Sequence, residues 1–188
     1  MSKLYFRYGT VGSAKTLNLL AVVHTYRKQG KNCLLIKPAL DTRFGKYVVK
    51  SRAGLEETAD LNLEADDEIG LFEGKVPDCI LVDEVQFLTI DQIEELRMIA
   101  TKDKIPVICY GLRSDFRTNL FPASKRLLEL ADSIEEVKNV CHYCNRKSTM
   151  NLKHVDGKPT KSGPSVELGA EEKYFPVCFN CYDGAFDE

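Results

Sequence analysis

The sequence predicts an α/β fold: a mainly parallel sheet with helices between its strands, then a small separate unit at the C-terminal end. Two observations predict it. Short apolar runs alternate with stretches of helical spacing up to about residue 140, the pattern of strands covered on both faces by crossover helices. Beyond that point the composition changes, and two Cys-x-x-Cys pairs flank a polar stretch rich in Lys, Pro, Gly and Ser. We divide the chain at this change, into residues 1–140 and 141–188.

Five runs read as strands: Leu4–Tyr8, Cys33–Lys37, Cys79–Asp83, Val107–Gly111 and Ile134–Val140. The last alternates imperfectly and suits an edge. After the first run, Leu17, Leu20, Ala21 and His24 recur at helical spacing, and Gly30 marks the stop. His24 is read as a structural histidine near that helix's inner face. Thr89 followed by Gln92 has the spacing of a capping box, with Ile93, Leu96 and Ile99 or Ala100 as the apolar face behind it. Ser124 starts a third helix carrying Leu127, Leu128 and Ala131. Residues 41–75 lack clear periodicity and read as a surface excursion with a short helix and strand.

The chain has 188 residues, 44% hydrophobic and 29% charged, with a net charge of −2. A near-neutral balance without a basic stripe argues against electrostatic capture of nucleic acid. No apolar run reaches the roughly 20 residues of a membrane span. The first residues are too charged and too short for a secretory signal, so a cytoplasmic protein is expected. Seven cysteines fit poorly with a disulfide framework. Cys33, Cys79 and Cys109 sit in apolar runs and read as core packing.

Gly9-Thr10-Val11-Gly12-Ser13-Ala14-Lys15-Thr16 lies between a strand and a helix, the context of a phosphate-cradling loop. In such a loop backbone N–H groups face phosphate, the lysine reaches the β and γ phosphates, and the Ser/Thr hydroxyl ligates Mg²⁺. Ala14 stands where the pattern has glycine. An ordinary strand–helix turn is the competing reading. Cys79-Ile80-Leu81-Val82-Asp83-Glu84 weighs against that reading. It is an apolar strand ending in two carboxylates, one to hold Mg²⁺ directly or through water and one to accept a proton. Such a strand is expected beside the first one. Together the two motifs predict ATP binding and use.

Cys141, Cys144, Cys178 and Cys181 form two knuckles separated by 33 residues. Two such turns can direct four thiolates at one ion, which predicts a closed structural Zn²⁺ site. Redox chemistry and substitution by His142 or His154 as ligands are the alternatives.

Taken in order, these motifs resemble the type II, cellular-type thymidine kinases, in their bacterial branch. The resemblance also rests on Lys37-Pro38-Ala39-Leu40-Asp41-Thr42-Arg43-Phe44-Gly45, Ser51-Arg52-Ala53-Gly54-Leu55, Val82-Asp83-Glu84-Val85-Gln86-Phe87-Leu88, the stretch from Ile105 to Arg117, and Lys173-Tyr174 between the knuckles. It implies a RecA-like P-loop domain and a zinc domain with a lasso-like loop closing over a nucleoside. It implies transfer of the γ-phosphate of ATP to the 5′-hydroxyl of thymidine and deoxyuridine, a homotetramer, and feedback inhibition by dTTP.

Carried over residue by residue, it makes Glu84 the general base. It places Gly9 to Thr16, Asp41, Arg43, Asp83, Glu84, Val85 and Gln86 at the nucleotide, with Asp83 ordering Mg²⁺ through water. Phe87, Leu112, Phe116 and Tyr174 surround the thymine ring. Ser165, Val166, Glu167, Leu168 and Gly169 read the base edge through their backbone. Ala14, and Ala170 where a second glycine is common after Gly169, depart from the family pattern. The short run after Cys181 implies no long regulatory tail. Two other readings compete: a P-loop ATPase with a zinc ribbon acting on nucleic acid, and a non-catalytic homologue.

Overall fold

The computed structural model describes residues 2–70, 75–166 and 173–187. Six parallel strands form the central sheet: β1 (Leu4–Tyr8), β2 (Cys33–Pro38), β5 (Leu61–Leu63), β6 (Cys79–Val82), β7 (Val107–Gly111) and β8 (Ser133–Glu136). Their spatial order is β5-β2-β6-β7-β1-β8. The strand carrying the carboxylates is therefore not beside β1; β7 lies between them. Hydrophobic patterning marks both as interior strands but carries no information on their order. The last strand is an edge, as its alternation predicts, but it stops at Glu136 rather than Val140.

Alternate residues of these strands divide the core in two. Cys33, Leu35, Cys79, Leu81, Ile108 and Tyr110 pack with Leu19, Leu20 and Val23 of helix α1 (Lys15–Lys28). Leu4, Phe6, Ile36, Ile80, Val82, Val107 and Cys109 pack with Ile93 and Leu96 of α2 (Ile90–Met98) and with Ala123 and Leu127 of α3 (Pro122–Leu130). The sheet is thus covered on both faces, which is why its central strands β6 and β7 are buried at every position. The three core cysteines are buried as expected, and burial pushes Cys33 up to about 12 and Cys79 up to about 11.

Helix α1 uses a different face from the one its spacing suggests. Leu19, Leu20 and Val23 are buried, whereas Ala21 and His24 are exposed. Apolar residues run almost unbroken from Leu19 to Val23, so several helical registers fit equally well, and His24 is not an inner-face residue. The capping box at Thr89 is present: its side chain accepts from the Gln92 N–H, and the Gln92 side chain accepts from the Thr89 N–H. Helix α3 begins at Pro122, two residues before the expected Ser124, with proline at a position that suits its fixed φ. The excursion contains no helix among its described residues. It holds the antiparallel hairpin of β3 (Val48–Lys50) and β4 (Glu56–Thr58), followed by β5 at the sheet edge.

The C-terminal unit is a three-stranded antiparallel sheet in the order β10-β9-β11, formed by β9 (Met150–Val155), β10 (Lys158–Thr160) and β11 (Tyr174–Val177), with the short helix α4 (Phe179–Asp183). Its core is Leu152, Val177, Tyr182 and the thiols of Cys141 and Cys178. No described helix is long and apolar enough to cross a membrane.

Candidate active site

The C-terminal ends of β1, β6 and β7 face one cleft of about 310 Å³. Open α/β sheets carry ligand sites at this end of their strands. One wall is the loop entering α1, and the far end is aromatic.

The loop turns from β1 into α1 through two left-handed residues, Gly12 (φ 69°) and Ala14 (φ 60°). Ala14 thus takes up the glycine-like conformation despite its methyl group. Gly9 is needed for a close approach, because a Cβ there would lie 2.3 Å from Ser13 Oγ and 2.6 Å from the Val137 carbonyl oxygen. The buried Lys15 Nζ donates to the Thr10 carbonyl at 2.7 Å and to Ser13 Oγ at 3.1 Å. Burial lowers its pKa to about 8, even against the favourable charges of Glu84 and Asp83. The Thr16 hydroxyl donates to both carboxylate oxygens of Asp83, at 3.2 and 3.1 Å, tying the start of α1 to the end of β6.

Asp83 and Glu84 end β6 differently. Burial, then the adjacent Glu84 charge, raises Asp83 to about 7. Burial also pushes Glu84 up, but Arg43, Lys15 and Gln86 outweigh it and hold this carboxyl below its usual range. Glu84 sits at φ 49°, a left-handed conformation uncommon for its type. Its Oε1 accepts from Arg43 Nη2 at 2.6 Å and its Oε2 from Gln86 Nε2 at 2.6 Å. The same Arg43 guanidinium donates to both oxygens of buried Asp41, at 2.6 and 3.0 Å. Asp41 is held low: Arg43 and Lys37 outweigh its burial. Gln86 Oε1 accepts from the Leu112 N–H at 3.0 Å, and Gly111 makes room for it, since a Cβ there would come within 2.4 Å of that oxygen.

At the far end, Phe87 meets Phe121 edge-on with centroids 6.3 Å apart, and Phe116 lies 6.1 Å from Tyr174. Both pairs line the cleft with Leu112. The cleft therefore runs from a phosphate loop, past a fixed carboxylate, to a slot with apolar and aromatic walls.

The thymidine kinase family model matches residues 2–182. The chain is 41% identical over 187 residues to a thymidine kinase of Lactococcus lactis subsp. lactis, covering 97% of both chains. It is 41% identical over 185 residues to one of Streptococcus pyogenes serotype M28, again at 97% of both. With one of Streptococcus gordonii the figure is 42% over 185 residues, covering 97% of this chain and 96% of the relative. The chain belongs to the thymidine kinase family.

Set against this family's resemblance in the sequence, the structure brings most of the expected residues together. Val11 to Thr16, Arg43, Glu84, Gln86, Phe87, Leu112, Phe116, Ser165, Val166 and Tyr174 line the cleft. Asp41 and Asp83 lie behind its surface, bonded to Arg43 and Thr16. Gly9 and Thr10 do not line the cleft, Thr10 instead bonding to Lys15 and Ser148, and Val85 packs in the core. Glu167, Leu168, Gly169 and Ala170 fall outside the described residues.

The residue-level reading missed part of the wall. Arg52, in the turn of the β3–β4 hairpin, lies against the loop, with Nη1 3.6 Å from where a Gly12 Cβ would be. Phe121 and Asn151 also line the cleft. The basic Ser51-Arg52-Ala53-Gly54 turn was the available signal for Arg52; Asn151 carries none in the sequence, because only the tertiary fold brings it to the loop.

The four knuckle sulfurs lie within 4.8 Å of one another, with Cys144 to Cys178 at 3.7 Å and Cys181 to Cys144 at 3.8 Å. A tetrahedral ion with Zn–S bonds of about 2.3 Å separates its ligands by about 3.8 Å. The donor set and spacing fit Zn²⁺. His142 and His154 instead pack tilted against the Phe175 ring, with centroids at 4.6 and 5.0 Å.

Proposed function

We propose that this chain is a thymidine kinase that transfers the γ-phosphate of ATP to the 5′-hydroxyl of thymidine, and of deoxyuridine, yielding the monophosphate for DNA synthesis. The observation that carries the reading is the continuous cleft, with Glu84 between the phosphate loop and the aromatic slot.

Lys15 and the loop N–H groups hold the β and γ phosphates of ATP. Thr16, with Asp83 through water, would hold Mg²⁺, which supplies neutralisation of phosphate charge. Phe87, Leu112, Phe116 and Tyr174 take the flat thymine ring between apolar and aromatic faces. Ser165 and Val166, followed by Glu167 to Gly169, read its edge through backbone groups. Glu84 accepts the 5′-hydroxyl proton as that oxygen bonds to the γ-phosphorus and the bond to the β–γ bridging oxygen breaks, releasing ADP. Arg43 serves two ends: its pairing with Asp41 and Glu84 keeps the base ionised, and its charge offsets that developing on the phosphoryl group.

The division near residue 140, the lid formed by the loop between the knuckles, the homotetramer, inhibition by dTTP and the cytoplasmic location belong to the same proposal through the family resemblance.

ADP release measured with thymidine against other nucleosides tests the reading; nucleoside-independent release would overturn it. Glu84→Gln retains ATP binding and loses about 10²–10⁴-fold in turnover, the usual worth of a positioned base. Wild-type turnover by that variant would remove Glu84 from the role.

A further inference from the structure

The loop at Gly9–Thr16 is not held by its own strand and helix alone. Asn151, buried on the central strand of the C-terminal sheet, reaches it from the other unit. Its Oδ1 accepts from the Val11 N–H at 2.9 Å, and its Nδ2 donates to the Ser114 carbonyl at 3.1 Å. A donor on one side and an acceptor on the other fix which way the amide points. The Val11 carbonyl in turn accepts from Asn139 Nδ2 at 3.3 Å. One residue earlier, the Thr10 hydroxyl bonds to that of buried Ser148 at 2.9 Å. Ser148 gives its single proton to the Asn139 carbonyl at 3.1 Å, so Thr10 is the donor of that pair.

Two consecutive loop residues are thus fastened by side chains that follow the central sheet in sequence. Gly12 follows immediately and Ala14 two residues later, both left-handed, the second against the preference of its side chain. A loop of that shape persists only where its surroundings over-determine it. The fastening continues to the cysteine cluster: Asn151 pairs with Pro176 in the sheet register, and the Thr149 N–H donates to the carbonyl of Val177, the residue before Cys178.

We propose that Asn151, supported by Ser148, is a positioning residue through which the cysteine-held sheet sets the phosphate loop in its nucleotide-receiving shape. The inference rests on the reading of the cleft as an ATP site, because its functional consequence is in nucleotide affinity. Asn151 touches the loop and does not act on the reacting atoms.

The test is Asn151→Ala in the full chain, with metal content, amide hydrogen exchange and both Michaelis constants measured. The expected result is one zinc per chain, faster exchange of the Val11 amide, and a KM for ATP raised about 5- to 15-fold, the size of one or two lost buried hydrogen bonds. The KM for thymidine stays within about two-fold on this scale. An unchanged Val11 amide, or an equal rise in both constants, overturns the proposal, since the second outcome is a general loosening of the cleft. If Asn151→Ala loses its metal, Ser148→Ala, which releases the Thr10 hydroxyl and leaves the Asn151 bonds in place, is expected to raise the KM for ATP and not that for thymidine; an unchanged KM for ATP or an equal rise in both overturns the proposal there too. Should the wild-type chain fail to bind ATP, the functional reading falls, while the exchange of the Val11 amide still decides whether the fastening exists.

Discussion

Ala14 and Glu84 both line the cleft, and both hold a left-handed backbone. For an L-residue this costs about 1–2 kcal/mol, which glycine does not incur. Ala14 is an exposed residue. Ala14→Gly therefore removes the strain, but also frees the unfolded chain by about 0.4–1 kcal/mol. The expected net is a gain of roughly 0.5–1 kcal/mol, read as a higher denaturant midpoint with unchanged slope. A lower midpoint would mean that the strain is not borne at this residue. Glu84 differs, because its conformation aims the carboxylate at Arg43 and Gln86, and its strain coincides with its proposed role. The sequence made both residues conspicuous, one as a departure from a pattern and one as a carboxylate after an apolar run. It did not show that they share a conformation, because φ at a single residue is set by tertiary contacts.

Among the elements, those with a local physical cause were legible and those held by distant partners were not. Strands β1 and β7 match their apolar runs residue for residue. The start of α2 follows from two side chains three positions apart. The β3–β4 hairpin has three residues per strand, too few to show a period, and it is fixed from outside by the buried Lys37, whose Nζ donates to the Gly45 and Val48 carbonyls at 2.9 and 2.7 Å. Gln92 does more than close its cap. Its Nε2 also donates to the carbonyls of Glu64 and Asp67, at 2.8 and 2.9 Å, joining α2 to the segment after β5. Thr89→Ala is therefore expected to cost about 1 kcal/mol, the usual worth of a cap. Gln92→Ala is expected to cost about 2–3 kcal/mol, because it strips the donor from two carbonyls as well. Equal losses in equilibrium unfolding would show that the two carbonyl bonds contribute nothing.

At the scale of the whole molecule, the two units meet at both ends of the cleft. Asn151 and Ser148 reach the phosphate loop, while the Tyr182 hydroxyl donates to the Phe116 carbonyl at 2.7 Å and Tyr174 faces the Phe116 ring. Cysteine spacing announced a unit able to hold a metal ion but not these crossings, which join residues 58 or more positions apart. Among the described residues, the unit's own buried core is five residues, two of them the Cys141 and Cys178 thiols. A core that small does not stabilise a fold without a further constraint, and a bound metal ion supplies one. Stripping the metal with a chelator should therefore release β9 and β11 first. Their amides should lose exchange protection while those of Leu4–Tyr8 and Val107–Gly111, inside the six-stranded sheet, keep theirs. Because the released unit touches both ends of the cleft, the Michaelis constants for ATP and thymidine should rise together, unlike the selective effect of Asn151→Ala. Cys144→Ser should reproduce the pattern with no chelator present. Retained protection of β9 and β11 in metal-free protein would show that packing alone holds the unit, and would sever the link from the cysteine cluster to the phosphate loop.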